Sequence, residues 1–398
     1  LLTVLYLGLP AQLIAQNIVK GINSFSLMSV PFFILAGEIM SAGGITKRLV
    51  KLSNALVGWI RGGLAMVNIA ASMFFGGISG SPTADTSSIG SMLIPMMVED
   101  GYDADFATNV TMASSIQGLL IPPSHNMVIY AMAAGGVSIG SLFLAGAVPG
   151  ILLGVALMIY SYFVSVKRGY PKGDKFRISV ALKATGDAIL GLGTVLIVVV
   201  GVVAGIFTAT ESAAIAVVYA FIITFFVYRE IPLKEIKNIL FRCIKTISIV
   251  MILVGVSSAF GWVIAYLRIP AKLSTLIFSI SENPVIVLLL INLFLLIVGT
   301  MMDMVSAILI VTPILLPIAQ AVGLSAVQFG VVMILNLGIG LITPPVGVIL
   351  FVGSAISGLT IEKLSKSLLP FYMVMLIALL LITFIPAISM TLPNLIMG

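Results

Sequence analysis

The chain has 398 residues, of which 60% are hydrophobic and only 9% charged, with a mean hydropathy of +1.24. A soluble domain carries about 25% charged residues, so this balance excludes a soluble enzyme and identifies an all-α polytopic membrane protein. The net charge of +6 comes from basic residues in short loops between apolar runs, which is membrane topology and not a nucleic-acid patch; the single cysteine, Cys243, excludes an intrachain disulfide and a cysteine metal cluster.

Leu1 to Ala15 is apolar but short for a span of about 20 residues. The chain is therefore expected to begin inside its first helix, over 1–16, as a trimmed chain or the second half of a fusion. No cleavable signal peptide is recognisable. A second helix is predicted at 27–46. Lys47, Arg48, Lys51 and Trp59 then punctuate an apolar pattern, which predicts an amphipathic helix over 47–61 lying on the membrane surface. The segment 62–98 has a polar, glycine-rich centre and reads as a re-entrant hairpin. The next helix, 106–134, contains Pro122-Pro123 in mid-membrane and should break there. Helices follow at 141–165, 186–207, 212–228 and 246–266. A second hairpin at 284–320, a second broken helix at 328–356 around Pro344-Pro345, and a helix at 368–390 complete the layout. The expected units are N-terminal scaffold helices and arm (1–61), transport repeat 1 (62–140), scaffold helices and connecting arms (141–283), transport repeat 2 (284–357) and a C-terminal scaffold helix (358–398).

The two hairpin–broken helix segments match. Asp85 to Asp303 and Pro95 to Pro313 are each 218 residues. Gly101 to Gly323, Gly118 to Gly340 and Pro123 to Pro345 are each 222. This spacing predicts a duplication with four extra residues between Pro313 and Gly323.

Loop charge orients the layout. The loops 47–61, 167–183, 229–245 and 363–366 hold 17 of the 20 Lys and Arg, which places them in the cytoplasm. Five crossings then separate the hairpins. The second therefore enters from outside, the repeats are inverted, and Gly398 is expected outside. The distribution requires each hairpin to return to the face it entered from.

Irregular backbone at membrane depth survives only where it is buried or lines a wet cavity. Half-helix C-termini offer carbonyl oxygens to a small cation such as Na⁺, and the N-termini that follow offer N–H groups to an anion. This selects Ser114, Ser115 and Gly118 before the first double proline, and Asn336, Gly338, Gly340 and Thr343 before the second. The hairpin tips add Ser79, Gly80, Ser81, Thr83 and Asp85 in one repeat, and Gly299, Thr300 and Asp303 in the other. Pro123, Ser124, His125, Asn126 and Pro345 are the candidate substrate contacts. The bland alternatives are close helix packing for each Gly or Ser, bracing of the hairpin backbone for Asp85 and Asp303, and a structural ion pair for Glu38. Glu211 is expected in a short solvated loop.

The runs Val30 to Glu38, Phe74 to Asp85, Ile121 to Ser124 with Val128-Ile129-Tyr130, Phe143 to Gly146, Pro149-Gly150 and Asn336 to Gly347 carry a family resemblance. The chain resembles the large membrane subunit of TRAP (tripartite ATP-independent periplasmic) transporters over nearly its whole length. That resemblance implies an elevator-type secondary transporter of the bacterial inner membrane. It implies a soluble periplasmic binding protein that delivers an organic acid, a small membrane (Q) subunit, Na⁺ as coupling ion and no other cofactor. It carries the ion sites onto the tips and breaks named above. Pro82-Thr83 and the polar Ser124-His125-Asn126 depart from many relatives, and the run is closest to the sialic acid branch, with dicarboxylates as the alternative. A symporter or exporter that needs no binding protein is the second reading. An intramembrane enzyme is the third. Adjacent Ser124 and His125 point about 100° apart on a helix, which argues against a nucleophile–base pair.

Overall fold

The structure, a computed structural model, describes residues 2–397. Leu1 and Gly398 lie outside the described residues, and with them the expected outer placement of the C-terminus. Short helices α1 (Leu2–Tyr6) and α2 (Gln12–Ile22) replace the single expected helix 1–16, because Gly8 takes a positive φ and Pro10 follows it. Next come α3 (Ser29–Ala42) and α4 (Ile45–Val57), bent from each other by 72°. Hairpin 1 is α5 (Gly63–Ser79) and α6 (Pro82–Glu99), and the first broken helix is α7 (Ala104–Gln117) and α8 (His125–Ala133). Long helices α9 (Ile139–Arg168), α10 (Ile178–Val203), α11 (Ala209–Ile222) and α12 (Ile236–Tyr266) are followed by short α13 (Ile269–Ile280). Hairpin 2 is α14 (Pro284–Met301) and α15 (Met304–Ala321), and the second broken helix is α16 (Ala326–Gly340) and α17 (Val348–Ser357). The chain closes with α18 (Ile361–Phe384) and α19 (Pro386–Ile396).

One offset relates the repeats. Ser81 and Asp303 are the residues that cap α6 and α15, and they are 222 residues apart. So are the first residues of α6 and α15, their last residues, and the starts of α7 and α16. The expected four-residue insertion therefore does not exist. The proline equivalent to Pro95 is Pro317, and the residue equivalent to Asp85 is Ala307. The match of Asp85 to Asp303 and of Pro95 to Pro313 is one of residue type only. It misleads by one helical turn, since the position of a residue in a helix is set by where the cap falls.

The two arms of each hairpin are joined by only two residues, so each hairpin returns to the face it started from. The charge distribution required that return. Five crossings still separate the hairpins: α7 with α8, then α9, α10, α11 and α12. Helix α13, which sequence reading missed, has 12 residues and reaches about 18 Å, short of a ~30 Å core. It leaves the inversion intact. It is the mate of α4: each is a short helix set off from the preceding span by a left-handed residue, Gly44 or Arg268.

Other boundaries move outward. Helix α10 starts at Ile178, α12 at Ile236 and α18 at Ile361, which draws Lys183, Lys237 and Lys363 from the expected loops into helix. A π-helical stretch, Ile223–Tyr228, extends α11. Pro386 splits the last expected helix. Glu211 is not in a loop: it closes a capping box with Thr208 at the exposed start of α11. Glu38 forms the expected ion pair, with Arg242 at 3.1 Å.

Hairpin arms, broken helices, α9 and α18 share one buried core. The second arm of each hairpin crosses to the other repeat: α6 packs on α17, and α15 on α8. Large apolar side chains such as Leu196 and Val200 on α10 and Leu289 and Leu293 on α14 stay exposed, the surface a membrane helix turns to lipid.

Candidate ion and substrate site

At tip 1 the chain reverses through Gly80 and Ser81. Gly80 closes α5 at φ +59°, and its N–H returns to the carbonyl of Gly76 at 2.8 Å, a geometry natural to glycine. Ser81 is extended, and its Oγ accepts from the Ala84 N–H at 3.3 Å. Ser79 Oγ accepts from the Ser81 N–H at 3.3 Å. Thr83 is half-buried in the first turn of α6. Asn126 Nδ2 donates to the Gly80 carbonyl at 3.4 Å, so the tip rests on the start of α8.

Tip 2 is built from Met302 and Asp303. Asp303 Oδ2 accepts from the Val305 N–H at 3.0 Å, and the residue is exposed. Thr300 Oγ1 donates to the Ile297 carbonyl at 2.8 Å, while the Thr300 carbonyl accepts from the Val346 N–H at 3.2 Å. Tip 1 is thus bonded to the half-helix behind its break, and the end of α14 to Val346 within the second break.

The breaks differ from expectation in which carbonyls they free. Those of Ser115, Ile116 and Gln117 accept from Gly118, Leu119 and Leu120, in tight i→i+3 bonds. The carbonyls from Gly118 to Pro123 accept no hydrogen bond among the described residues, although Leu119, Leu120, Pro122 and Pro123 are buried. Beyond them, the Ser124 hydroxyl is fully buried and unpartnered, and the N–H groups of His125 and Asn126 have no acceptor among the described residues. His125 itself is half-buried. In the second break Leu341 accepts from the Ile349 N–H at 3.0 Å and Ile342 from the Tyr372 hydroxyl at 2.5 Å. Among the described residues the carbonyls from Thr343 to Val346 accept no hydrogen bond, and Pro344, Pro345 and Val346 are exposed. Both double prolines have a cis peptide bond.

The remaining candidates pack or bridge. Ser115 and Thr343 donate back to Met112 and Ile339, at 2.8 and 2.7 Å. Gly118 lies against the backbone of Gly76, Gly340 against that of Gly299, and Gly338 against the side chains of Leu119 and Ile116. Hairpin and broken helix therefore meet backbone to backbone in each repeat. Ser114 donates to Ser72 at 3.0 Å, and Ser72 to Asp85 Oδ1 at 3.1 Å. Asp85 is completely buried, with Oδ2 unpartnered. Ser114 and Asn336 are 222 apart and both turn to an asparagine on the first hairpin arm, Asn68 at 3.4 Å and Asn292 at 2.9 Å. Sequence reading passed over Asn68, Ser72 and Asn292. Their signal is a few polar residues, Asn68 and Ser72 in α5 and Asn292 in α14, in otherwise apolar arms.

The comparisons settle the family. Residues 1–388 match the family described as "Tripartite ATP-independent periplasmic transporter, DctM component". The chain belongs to the DctM family. It is 43% identical to the uncharacterized protein YgiK of Salmonella typhimurium over 384 residues, 96% of this chain and 88% of that one. It is 41% identical to the sialic acid TRAP transporter large permease protein SiaM of Vibrio cholerae, over 96% and 90% of the two chains. Among solved structures it is similar to the YdaH transporter of Alcanivorax borkumensis, with a TM-score of 0.65 at 15% identity over 92% of this chain and 86% of that one; this likeness concerns the fold. The chain is thus a TRAP large permease, a transporter component and not an enzyme, spanning the bacterial inner membrane many times.

Proposed function

We propose that this DctM chain is a Na⁺-coupled importer of an organic acid, sialic acid or a close analogue. It would receive its cargo from a periplasmic binding protein and work beside a small membrane subunit. The two hairpins and broken helices would move as one elevator body. We draw that body to include α9 and α18, because both pack on the broken helices and their first residues, Ile139 and Ile361, keep the 222-residue offset.

The observation that carries this reading is the run of open carbonyls from Gly118 to Pro123, with its shorter mate at Thr343 to Val346. A buried carbonyl without a donor is costly. A dehydrated cation at mid-membrane needs such oxygens to replace its water. Ser79, Ser81 and Thr83 on one tip, and Thr300 and Asp303 on the other, would add hydroxyl and carboxylate oxygen. The open N–H groups of His125 and Asn126 would face the acid.

The test is initial uptake against Na⁺ concentration in proteoliposomes holding both membrane subunits, with the binding protein supplied and a panel of organic acids as cargo. Ser81→Ala and Thr343→Ala should weaken Na⁺ dependence while the protein stays folded. Wild-type Na⁺ dependence in both variants would falsify these ion sites. Full uptake by this chain alone would favour the reading without a binding protein.

A further inference from the structure

If the hairpins, broken helices, α9 and α18 move, the chain passes between frame and moving body at three connections: 58–62, 169–177 and 281–283. The first two touch. Arg61 and Lys172 form an antiparallel bridge, and the Gly62 N–H donates to the Pro171 carbonyl at 2.9 Å. Around this bridge the backbones are too close for side chains. A Cβ on Gly63 or on Gly173 would overlap the Gly58 carbonyl oxygen. The return connection is also tied to the moving body. Tyr170, next to Pro171, donates its hydroxyl to Asp103 at 2.7 Å, and Arg168 pairs with the same carboxylate oxygen at 2.7 Å. The Tyr170 hydroxyl, and after it the Arg168 guanidinium, hold the Asp103 carboxyl below its ordinary range, so the tie is ionised at neutral pH. Asp103 lies in the turn from α6 to α7. Beside the bridge a cavity of about 860 Å³ opens among Trp59, Glu99, Asp100, Lys175 and Arg177, so the paired connections are flanked by open space. The connection 281–283 takes part in no bridge among the described residues.

We infer that the connections 58–62 and 169–177 form a single clasped hinge, in which Gly58, Gly63 and Gly173 position the two strands so that hairpin 1 and α9 swing in step. The inference rests on the moving-body reading. Two separate tethers would let the frame helices α4 and α10 follow the moving body independently. A clasped pair transmits the displacement of one to the other through backbone, without a charged contact in the membrane. The third connection, unclasped, leaves hairpin 2 free to part from its arm, α13.

Paired cysteines test it. Residues opposed across an antiparallel bridge have Cα atoms about 4.5–5.5 Å apart, within the range a disulfide spans. Cys243 is buried at 2% exposure and will not compete. Arg61→Cys/Lys172→Cys, oxidised, should keep the uptake rate of its own reduced form, because the two strands never separate. Loss of uptake on oxidation overturns the clasp. Gly173→Ala, which opens the clasp, should lower uptake severalfold with unchanged elution of the folded protein; wild-type uptake also overturns it. Ile121→Cys/Val195→Cys is the control. Both side chains flank Gly77, 3.4 and 3.7 Å from where its Cβ would stand, and they join the first break to frame helix α10. This crosslink should abolish uptake. If it does not, the moving body itself fails and takes the clasp with it, an outcome distinct from a blocked clasp beside a blocking control.

Discussion

The two breaks stand at the same place in their repeats and are finished differently. The first is sunk in protein and leaves the carbonyls from Gly118 to Pro123 open. The second is exposed at Pro344 and Pro345, and two of its carbonyls are taken by the Tyr372 hydroxyl and the Ile349 N–H. Their acids differ as well. Asp303 caps α15 at the surface of tip 2, whereas Asp85 sits a turn inside α6, bonded to Ser72. Duplication fixed the backbone path and left the polar groups to diverge. The repeats therefore differ in what they present: buried carbonyl oxygens without donors at the first break, and an exposed carboxylate at the second tip.

The most drastic way to break the comparison is to deny the inversion. A cysteine at Lys172 should label only from the cytoplasm and one at Lys272 only from outside, in an all-or-none pattern. Labelling of both from one face would end the inverted-repeat account.

Next in size is the backbone contact within each repeat. Gly340→Ala drives a Cβ into the backbone of Gly299, which should cost about 1–3 kcal/mol, as overpacking does. Gly338→Ala meets only side-chain ends of Leu119 and Ile116 and should cost less. Thermal unfolding in detergent measures both, and equal losses would show that backbone approach is not what binds hairpin 2 to its break.

Tyr372→Phe removes the donor to Ile342 and makes break 2 more like break 1. The expected loss is about 1 kcal/mol, one net hydrogen bond. An unchanged melting temperature would mean that this carbonyl finds another partner. Asp303→Asn is the mildest. Asparagine caps as well as aspartate, while Asp303→Ala should cost about 1 kcal/mol. Any change in the Na⁺ dependence of Asp303→Asn therefore reports the charge and not the fold. If Na⁺ dependence stays at the wild-type value, tip 2 contributes no charge to the ion.

Much of this was legible in the residues. Composition gave the class, and the double prolines with their polar tips located both hairpins and both breaks to within a few residues. The register was misread because Asp85 with Asp303, and Pro95 with Pro313, match by type. Pro317 stood one turn further on as the true mate of Pro95. Helix α13 was hidden because Arg268 and Lys272 read as loop charge, and nothing in side-chain pattern announces the left-handed turn at Arg268. Of the residues expected before the breaks, Gly118 and Thr343 keep open carbonyls, and the runs continue beyond them. Which backbone oxygen is left over depends on i→i+3 bonds at the helix end, and those are not written in side chains.

The common offset of 222 residues has a consequence for how such a chain can vary. One residue inserted into a helix turns everything beyond it by about 100° and advances it by about 1.5 Å. Such an insertion in α6 or α15 would swing Gly118 or Gly340 away from its facing glycine and carry the double proline off the midplane. From Ser81 to Ile139 and from Asp303 to Ile361 the two copies have drifted freely in composition, trading Asp85 for Ala307 and Ser114 for Asn336, yet neither has gained or lost a residue relative to the other. What the descendants of the duplication share is a length: a rotational phase that substitution leaves untouched and insertion destroys.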